Sequence, residues 1–209
     1  MKHISSEYPE IDALQLQERL KNYAYPRDRI TKLLARGDLV RIKKGIYIDP
    51  HSPHPYSKEI LANLLYGPSY VSLEYALRHH NLIPEAVHVV TSITTGRKKR
   101  YQTPVGEFEY ATMPLRFFTP GAEYFQIDTH RGYMIASPEK AIFDMLYLRY
   151  PDLRPTEIET HLFENMRIEK SEFDRLKFSQ IAQLLDTCPR RSIISFGKYL
   201  AIAKKAPHG

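Results

Sequence analysis

Between Pro26 and Ile48 the chain carries three structural signals in a short run, and few arrangements accommodate them in this order. Pro26 suits the first turn of a helix, where a missing N–H costs nothing. Ile30, Leu33 and Leu34 then fall at i, i+3 and i+4 and form one apolar stripe. Gly37 supplies the helix stop. Leu39-Val40-Arg41-Ile42 and Ile46-Tyr47-Ile48 are β-prone runs on either side of Lys43-Lys44-Gly45, the pattern of a hairpin. Upstream, Ile11, Leu14 and Leu20 among polar neighbours predict a helix over roughly residues 10–22. The predicted order is helix, helix, hairpin.

Charge is concentrated on the same segment. From Arg19 to Lys44 there are nine basic residues and two acids, whereas the whole chain has a formal net charge of +6. With Ile30, Leu33 and Leu34 turned to a core, Arg27, Arg29, Lys32 and Arg36 are expected on or near the opposite faces of the second helix. Lys43 and Lys44 are expected at the hairpin tip. A basic helix followed by a basic hairpin is the layout of a winged helix-turn-helix, whose second helix enters the major groove of duplex DNA. Arginine there reads guanine edges, and lysine mostly meets phosphate.

The rest of the chain reads as a mixed α/β body. Residues 50–56 hold three prolines and predict a linker, so the expected division is 1–50, linker 51–56 and body 57–209. Ser57 and Ser72 are expected to cap helices, the second over residues 73–80. Strands are expected over 87–93 and 106–113, and a hairpin from 124–128 with 132–136. Ser137-Pro138-Glu139 opens a helix that runs to about Arg149, with Ile142, Met145 and Leu146 on its apolar face. From Thr156 to Lys205 the pattern is helical. The fold class is therefore α+β, an N-terminal winged helix followed by a mixed body with a helical C-terminal part.

Candidates for chemistry are sparse. Arg97, Lys98, Lys99 and Arg100 read either as a second nucleic-acid contact or as a charged hairpin tip that keeps a sheet edge soluble. His79 and His80 diverge by about 100° on a helix and read as surface histidines. Asp128 with Glu139-Lys140 evokes a metal-dependent nuclease, but that site needs acid and lysine alternating on a strand, and Glu139 and Lys140 are neighbours that open a helix. Cys188 is the only cysteine, which leaves no disulfide framework; Arg190 and Arg191 nearby would favour its thiolate, but a structural thiol is the expected reading. The chain has no phosphate-binding glycine loop and no nucleophile elbow. No catalytic residue, metal or cofactor is expected. No apolar run approaches the length of a membrane span, and the polar N-terminal residues lack a signal peptide's apolar stretch, so a cytoplasmic location is expected.

Several runs, taken in order, resemble the AbiEi family of antitoxins from type IV toxin–antitoxin systems. In the head these are residues 29–39 and Lys43-Lys44-Gly45-Ile46-Tyr47. In the body they are Gly67-Pro68-Ser69-Tyr70-Val71-Ser72-Leu73-Glu74-Tyr75-Ala76-Leu77, Leu82-Ile83-Pro84-Glu85 and Thr91-Ser92-Ile93-Thr94-Thr95. Thr103-Pro104-Val105-Gly106 and Ile135-Ala136-Ser137-Pro138-Glu139-Lys140-Ala141 complete the set. The resemblance implies a non-enzymatic repressor that binds inverted repeats in its own promoter, as a monomer in solution or a dimer on DNA. It also implies a body that counters a nucleotidyltransferase-like toxin without a stable complex. By residue, the resemblance extends only to the DNA contacts Arg27, Arg29, Lys32, Arg36, Lys43 and Lys44. Two other classes are compatible with the residues: a nucleic-acid-processing enzyme using the body, and a module that sequesters a toxin.

Overall fold

A computed structural model of the chain describes residues 7–203. The polar stretch at residues 1–6 and the last two residues of the expected helical tail, 204 and 205, lie outside the described residues. Among the described residues the first element is a strand rather than a helix: β1 (Glu10–Asp12) precedes α1 (Ala13–Leu20). Asp12 sets this boundary. Its side chain accepts from Gln15 N–H at 2.8 Å, and the Gln15 side chain accepts from Asp12 N–H at 3.1 Å. The two bonds form a reciprocal capping box that starts the helix at Ala13. α2 (Pro26–Arg36) follows and ends at Gly37, whose φ of 75° is the left-handed turn that favours glycine.

β2 (Val40–Lys43) and β3 (Ile46–Ile48) form the expected hairpin, with Gly45 at φ 87° in its turn. β1 adds to the outer side of β3, which gives a three-stranded antiparallel sheet in the order β1-β3-β2. The two faces of this sheet serve different cores. Ile11 and Tyr47, paired across β1 and β3, pack with Leu16, Leu20, Leu33 and Leu39 of the N-terminal unit. Ile42, Ile46 and Ile48 turn the other way and join the large core of the body.

The body is built on a six-stranded mixed sheet. Its elements are α3 (Lys58–Leu65), β4 (Ser69–Val71), α4 (Leu73–His79), β5 (Val90–Thr94), β6 (Lys99–Thr103), β7 (Gly106–Thr112), α5 (Leu115–Phe118), β8 (Ala122–Gln126), β9 (Gly132–Ala136) and α6 (Pro138–Leu148). The strand order is β6-β7-β5-β4-β9-β8. β4 pairs β9 and β5 pairs β7 in parallel, and the other pairs are antiparallel. Asn63 of α3 supports the β9 backbone, accepting from Met134 N–H at 2.6 Å.

α6 runs through the centre of the body and is buried on every side, not along one stripe. Beyond it the chain is mostly short turns of helix: Pro155–Glu157, α7 (Ile158–Thr160) continuing into a π turn at His161–Asn165, α8 (Lys170–Phe173), Phe178–Ile181 and α9 (Ala182–Thr187). The tail closes on the longer α10 (Arg191–Ala203). Phe173, Phe178 and Phe196 from this region pack in the same core as the sheet.

Lys140 and Asp144, one helical turn apart on α6, form an ion pair with neither side chain exposed. Asp144 also accepts from Ser72 Oγ at 2.7 Å and Tyr70 Oη at 3.0 Å, and Lys140 Nζ donates to Tyr70 Oη at 2.7 Å. The Ser72 hydroxyl is thus turned to a buried carboxylate and does not cap α4, contrary to the sequence expectation. Burial pushes the Asp144 carboxyl up and the Lys140 ammonium down, and each charge opposes the other's shift.

Residues 50–56 are irregular, as their prolines require, yet they are tied to both neighbours. Asp49 N–H donates to Pro9 O at 2.8 Å, and Ser52 Oγ donates to Glu7 O at 3.0 Å. Pro55 O accepts from Arg131 at 3.1 Å. No helix among the described residues is long and apolar enough to cross a membrane.

Candidate nucleic-acid interface

The structure divides the six basic residues expected on the N-terminal unit. Arg27 and Lys32 lie on the exposed side of α2, and Lys44 is exposed in the hairpin turn. Arg36 is half exposed and pairs with Asp38 at 3.2 Å. The other two do not share this surface.

Arg29 is only 6% exposed. It lies four residues before Leu33, so it shares the buried stripe of α2 rather than the solvent face. Its guanidinium stacks over the Tyr23 ring at 5.4 Å. The expected placement of Arg29 on an open face of α2 is corrected: the side chain packs in the turn between α1 and α2.

Lys43 is turned inward by a β-bulge. Arg41 pairs with Tyr47, but the next pair is Lys43 with Ile46, so one residue of β2 is skipped. The irregularity places Lys43 opposite Ile46, on the face that packs against the body. Its Nζ donates to Leu65 O at 2.9 Å and Tyr101 Oη at 3.3 Å, and lies 4.7 Å over the Tyr101 ring. Lys43 therefore joins the hairpin to the body, and its expected placement at the exposed hairpin tip is corrected.

The same pairing shows a residue that the sequence reading did not select. Arg41 shares the Tyr47 side of the hairpin, with its guanidinium 5.9 Å from that ring, and remains exposed. Arg27, Arg41 and Lys44 rim a groove of about 530 Å3 whose floor is Ala13, Leu16, Ile30 and Tyr47. Thr31 also lines it, and Thr31 Oγ1 donates to Arg27 O at 3.1 Å. Tyr25, which immediately precedes α2, is 74% exposed. The alternation Val40-Arg41-Ile42 was the available signal for Arg41, since an inward Ile42 turns Arg41 out.

The basic run in the body is divided between loop and strand. Arg97 and Lys98 are exposed in the loop after β5, while Lys99 and Arg100 begin β6. Lys99 Nζ sits 4.5 Å over the Tyr66 ring. Arg100 pairs with Glu107, and with Glu109 at 3.6 Å. β6 also contributes the Tyr101 that holds Lys43, so this basic edge adjoins the hairpin.

The remaining candidates are tied to structure. Asp128 binds Arg131 at 2.7 Å and accepts from His130 N–H at 3.0 Å. Glu139 accepts from Lys177 N–H at 2.7 Å. His79 and His80 are half-buried rather than on the surface: His79 Nε2 meets Tyr133 Oη at 2.7 Å, and His80 Nε2 donates to Ala136 O at 2.8 Å. Cys188 is buried, as a structural thiol is, and burial pushes its thiol up against the opposing pull of Arg190 and Arg116. Among the described residues no group of three or more His, Cys, Asp or Glu is placed to hold a metal ion. No protein-family model matches the chain, and no curated protein is significantly similar to it.

Proposed function

We propose that this chain is a duplex-DNA-binding transcriptional repressor whose N-terminal unit acts as a winged helix-turn-helix. The observation that carries the reading is the exposed set Arg27, Arg41 and Lys44, which rims an open groove between one helix and one hairpin, with Lys32 exposed further along the same helix. In this reading α2 is the recognition helix and β2-β3 the wing. Arg27 and Thr31 face base edges near the start of α2, and Lys32, Arg41 and Lys44 meet phosphates. Arg97 and Lys98 extend the cationic surface onto the body.

The resemblance of the body motifs to AbiEi antitoxins supports a second role, countering a nucleotidyltransferase-like toxin encoded beside this chain. The target DNA is then the promoter of the chain's own operon, read as inverted repeats. The motif residues are structural here: Ser72, Tyr70 and Lys140 form one buried network with Asp144, and Ser137 Oγ caps α6 by accepting from Lys140 N–H at 3.1 Å.

A gel-shift titration with the chain's upstream DNA, in the presence of random competitor, tests the repressor reading. Selective retardation is expected, and competition by random DNA at equal concentration contradicts it. Co-expression with the product of the adjacent reading frame tests the second role. Relief of growth inhibition by this chain, including a variant lacking Arg27, Lys32 and Lys44 charges, is expected. Inhibition that persists contradicts that role without touching the first.

A further inference from the structure

The six-stranded sheet ends in two edges of opposite character. β6 carries Lys99 and Arg100, with Arg97 and Lys98 just before it. Charges of this kind stop one sheet edge from joining another. β8, Ala122-Glu123-Tyr124-Phe125-Gln126, holds a single charged residue, no lysine and no proline. Its pairing with β9 is in continuous register. Tyr124 is 61% exposed, and Phe125 and the adjoining Ile127 are exposed as well.

Hydrogen bonds at the two ends of the β8–β9 ladder fix which backbone groups face outward. Ser137 N–H donates to Gly121 O, and Ile127 N–H donates to Arg131 O, each at 2.8 Å. Bonded and non-bonded pairs alternate along an antiparallel ladder. Residues 121, 123, 125 and 127 therefore turn their backbone groups to β9. Ala122, Tyr124 and Gln126 turn theirs to the side on which, among the described residues, no strand pairs. Ala122 N–H already donates to Thr119 O at 3.2 Å. The edge thus presents Ala122 O and the N–H and C=O groups of Tyr124 and Gln126.

We propose that this edge pairs with the same edge of a second copy of the chain, antiparallel and centred on Tyr124. A two-fold axis normal to the sheet keeps every side chain on its own face, so a residue must face one of the same parity. Centring on Tyr124 meets that condition and engages the most outward groups. The two Tyr124 backbones exchange hydrogen bonds, and each Gln126 N–H donates to the facing Ala122 O. Glu123 lies opposite Phe125, and the Tyr124 side chains face each other as a cross-strand aromatic pair.

The size of the edge sets when the pairing occurs. A five-residue strand buries well under the roughly 1,200 Å2 at the low end of stable interfaces. Each copy also carries a formal net charge of +6, which opposes association. The contact therefore forms when two copies are held side by side, as on the inverted repeats of the proposed function, on which this part of the inference rests. A two-fold axis is also the symmetry that an inverted repeat imposes.

Mild oxidation of full-length Tyr124→Cys tests the contact, because the native Cys188 is buried. The Cα separation of a hydrogen-bonded antiparallel pair, about 5.5 Å, lies within the span of a disulfide. A covalent dimer is expected at high protein concentration, and at lower concentration once the upstream duplex is added. Glu123→Cys is expected to stay monomeric, because its own copy is out of register. Equal cross-linking of both variants overturns the register, and no Tyr124→Cys dimer under either condition overturns the pairing. Gln126→Pro removes an outward N–H and spares the β9 ladder. It is expected to abolish cooperative filling of two repeats and leave binding to a single repeat unchanged; undiminished cooperativity overturns the proposal. If the chain binds no DNA, the repressor reading fails, and the cysteine experiment without DNA still decides the edge contact.

Discussion

Glu10 of β1 and Arg131 of the β8–β9 turn meet across the seam between the N-terminal unit and the body, with both side chains buried and 3.5 Å between their charged atoms. Glu10 also accepts from Ser57 N–H at 2.5 Å, and Arg131 binds Asp128 and Pro55 O. With Ile42, Ile46 and Ile48 in the body core, the seam is both apolar and ionic. The N-terminal unit is thereby held in a fixed orientation on the body.

Removing one partner from such a site exposes its importance. Glu10→Ala leaves the Ser57 N–H without its acceptor and weakens the neutralisation of Arg131. Urea denaturation is expected to show a loss of about 1–3 kcal/mol, the usual cost of stranding a buried polar group. A change indistinguishable from zero would mean that the seam is held by the apolar contacts alone.

The Lys140–Asp144 pair predicts a sharper pattern. Asp144→Ala strands a buried ammonium and is expected to cost about 3–5 kcal/mol. The double replacement Lys140→Met with Asp144→Leu removes both charges and is expected to recover part of that loss, with Tyr70 and Ser72 hydroxyls still short of a partner. A double variant no more stable than Asp144→Ala would contradict this account of the network.

Asp128 gives the acid limb of stability a definite sign. The His130 backbone N–H and then the Arg131 side chain hold its carboxyl below the usual aspartate value of 3.8. A depressed folded value means that its contribution is present above the unfolded pKa and lost as pH falls through the folded one. Melting temperature measured from about pH 5 to pH 2 is expected to fall more steeply for the native chain than for Asp128→Asn. Parallel curves would remove Asp128 from the acid limb.

The corrected basic residues separate cleanly in binding and stability. Lys44→Ala and Arg41→Ala are each expected to lower the salt slope of DNA binding by about 1, the effect of one lost phosphate contact. Arg29→Ala and Lys43→Ala are expected to lower stability and leave that slope unchanged in the folded protein. A slope change with Lys43→Ala would return that residue to the interface.

The parts of the fold that were legible in the sequence are those fixed by local signals. Pro26 and Gly37 bound α2, and Ser137 caps α6 with Pro138 in its first turn. Asp12 and Gln15 also carried a local signal for the start of α1, which the apolar spacing of Ile11, Leu14 and Leu20 obscured. β1 itself depends on pairing with β3, a contact distant in sequence. Arg29 was legible from its i, i+4 relation to Leu33. Lys43 was not, because its direction depends on a bulge that forms only when β2 and β3 pair. Lys140 and Asp144 have the spacing of an ordinary surface pair; their burial depends on the sheet and tail that enclose α6.

Fluorescence anisotropy across a salt series, with the chain's own upstream duplex and a scrambled duplex of equal length, tests the central claim most directly. The proposed interface predicts affinity that falls linearly on a log–log plot against salt. It also predicts a preference for the native duplex of about 10³ or more, the usual range for specific recognition. Equal affinity for the two duplexes, or binding insensitive to salt, would contradict it.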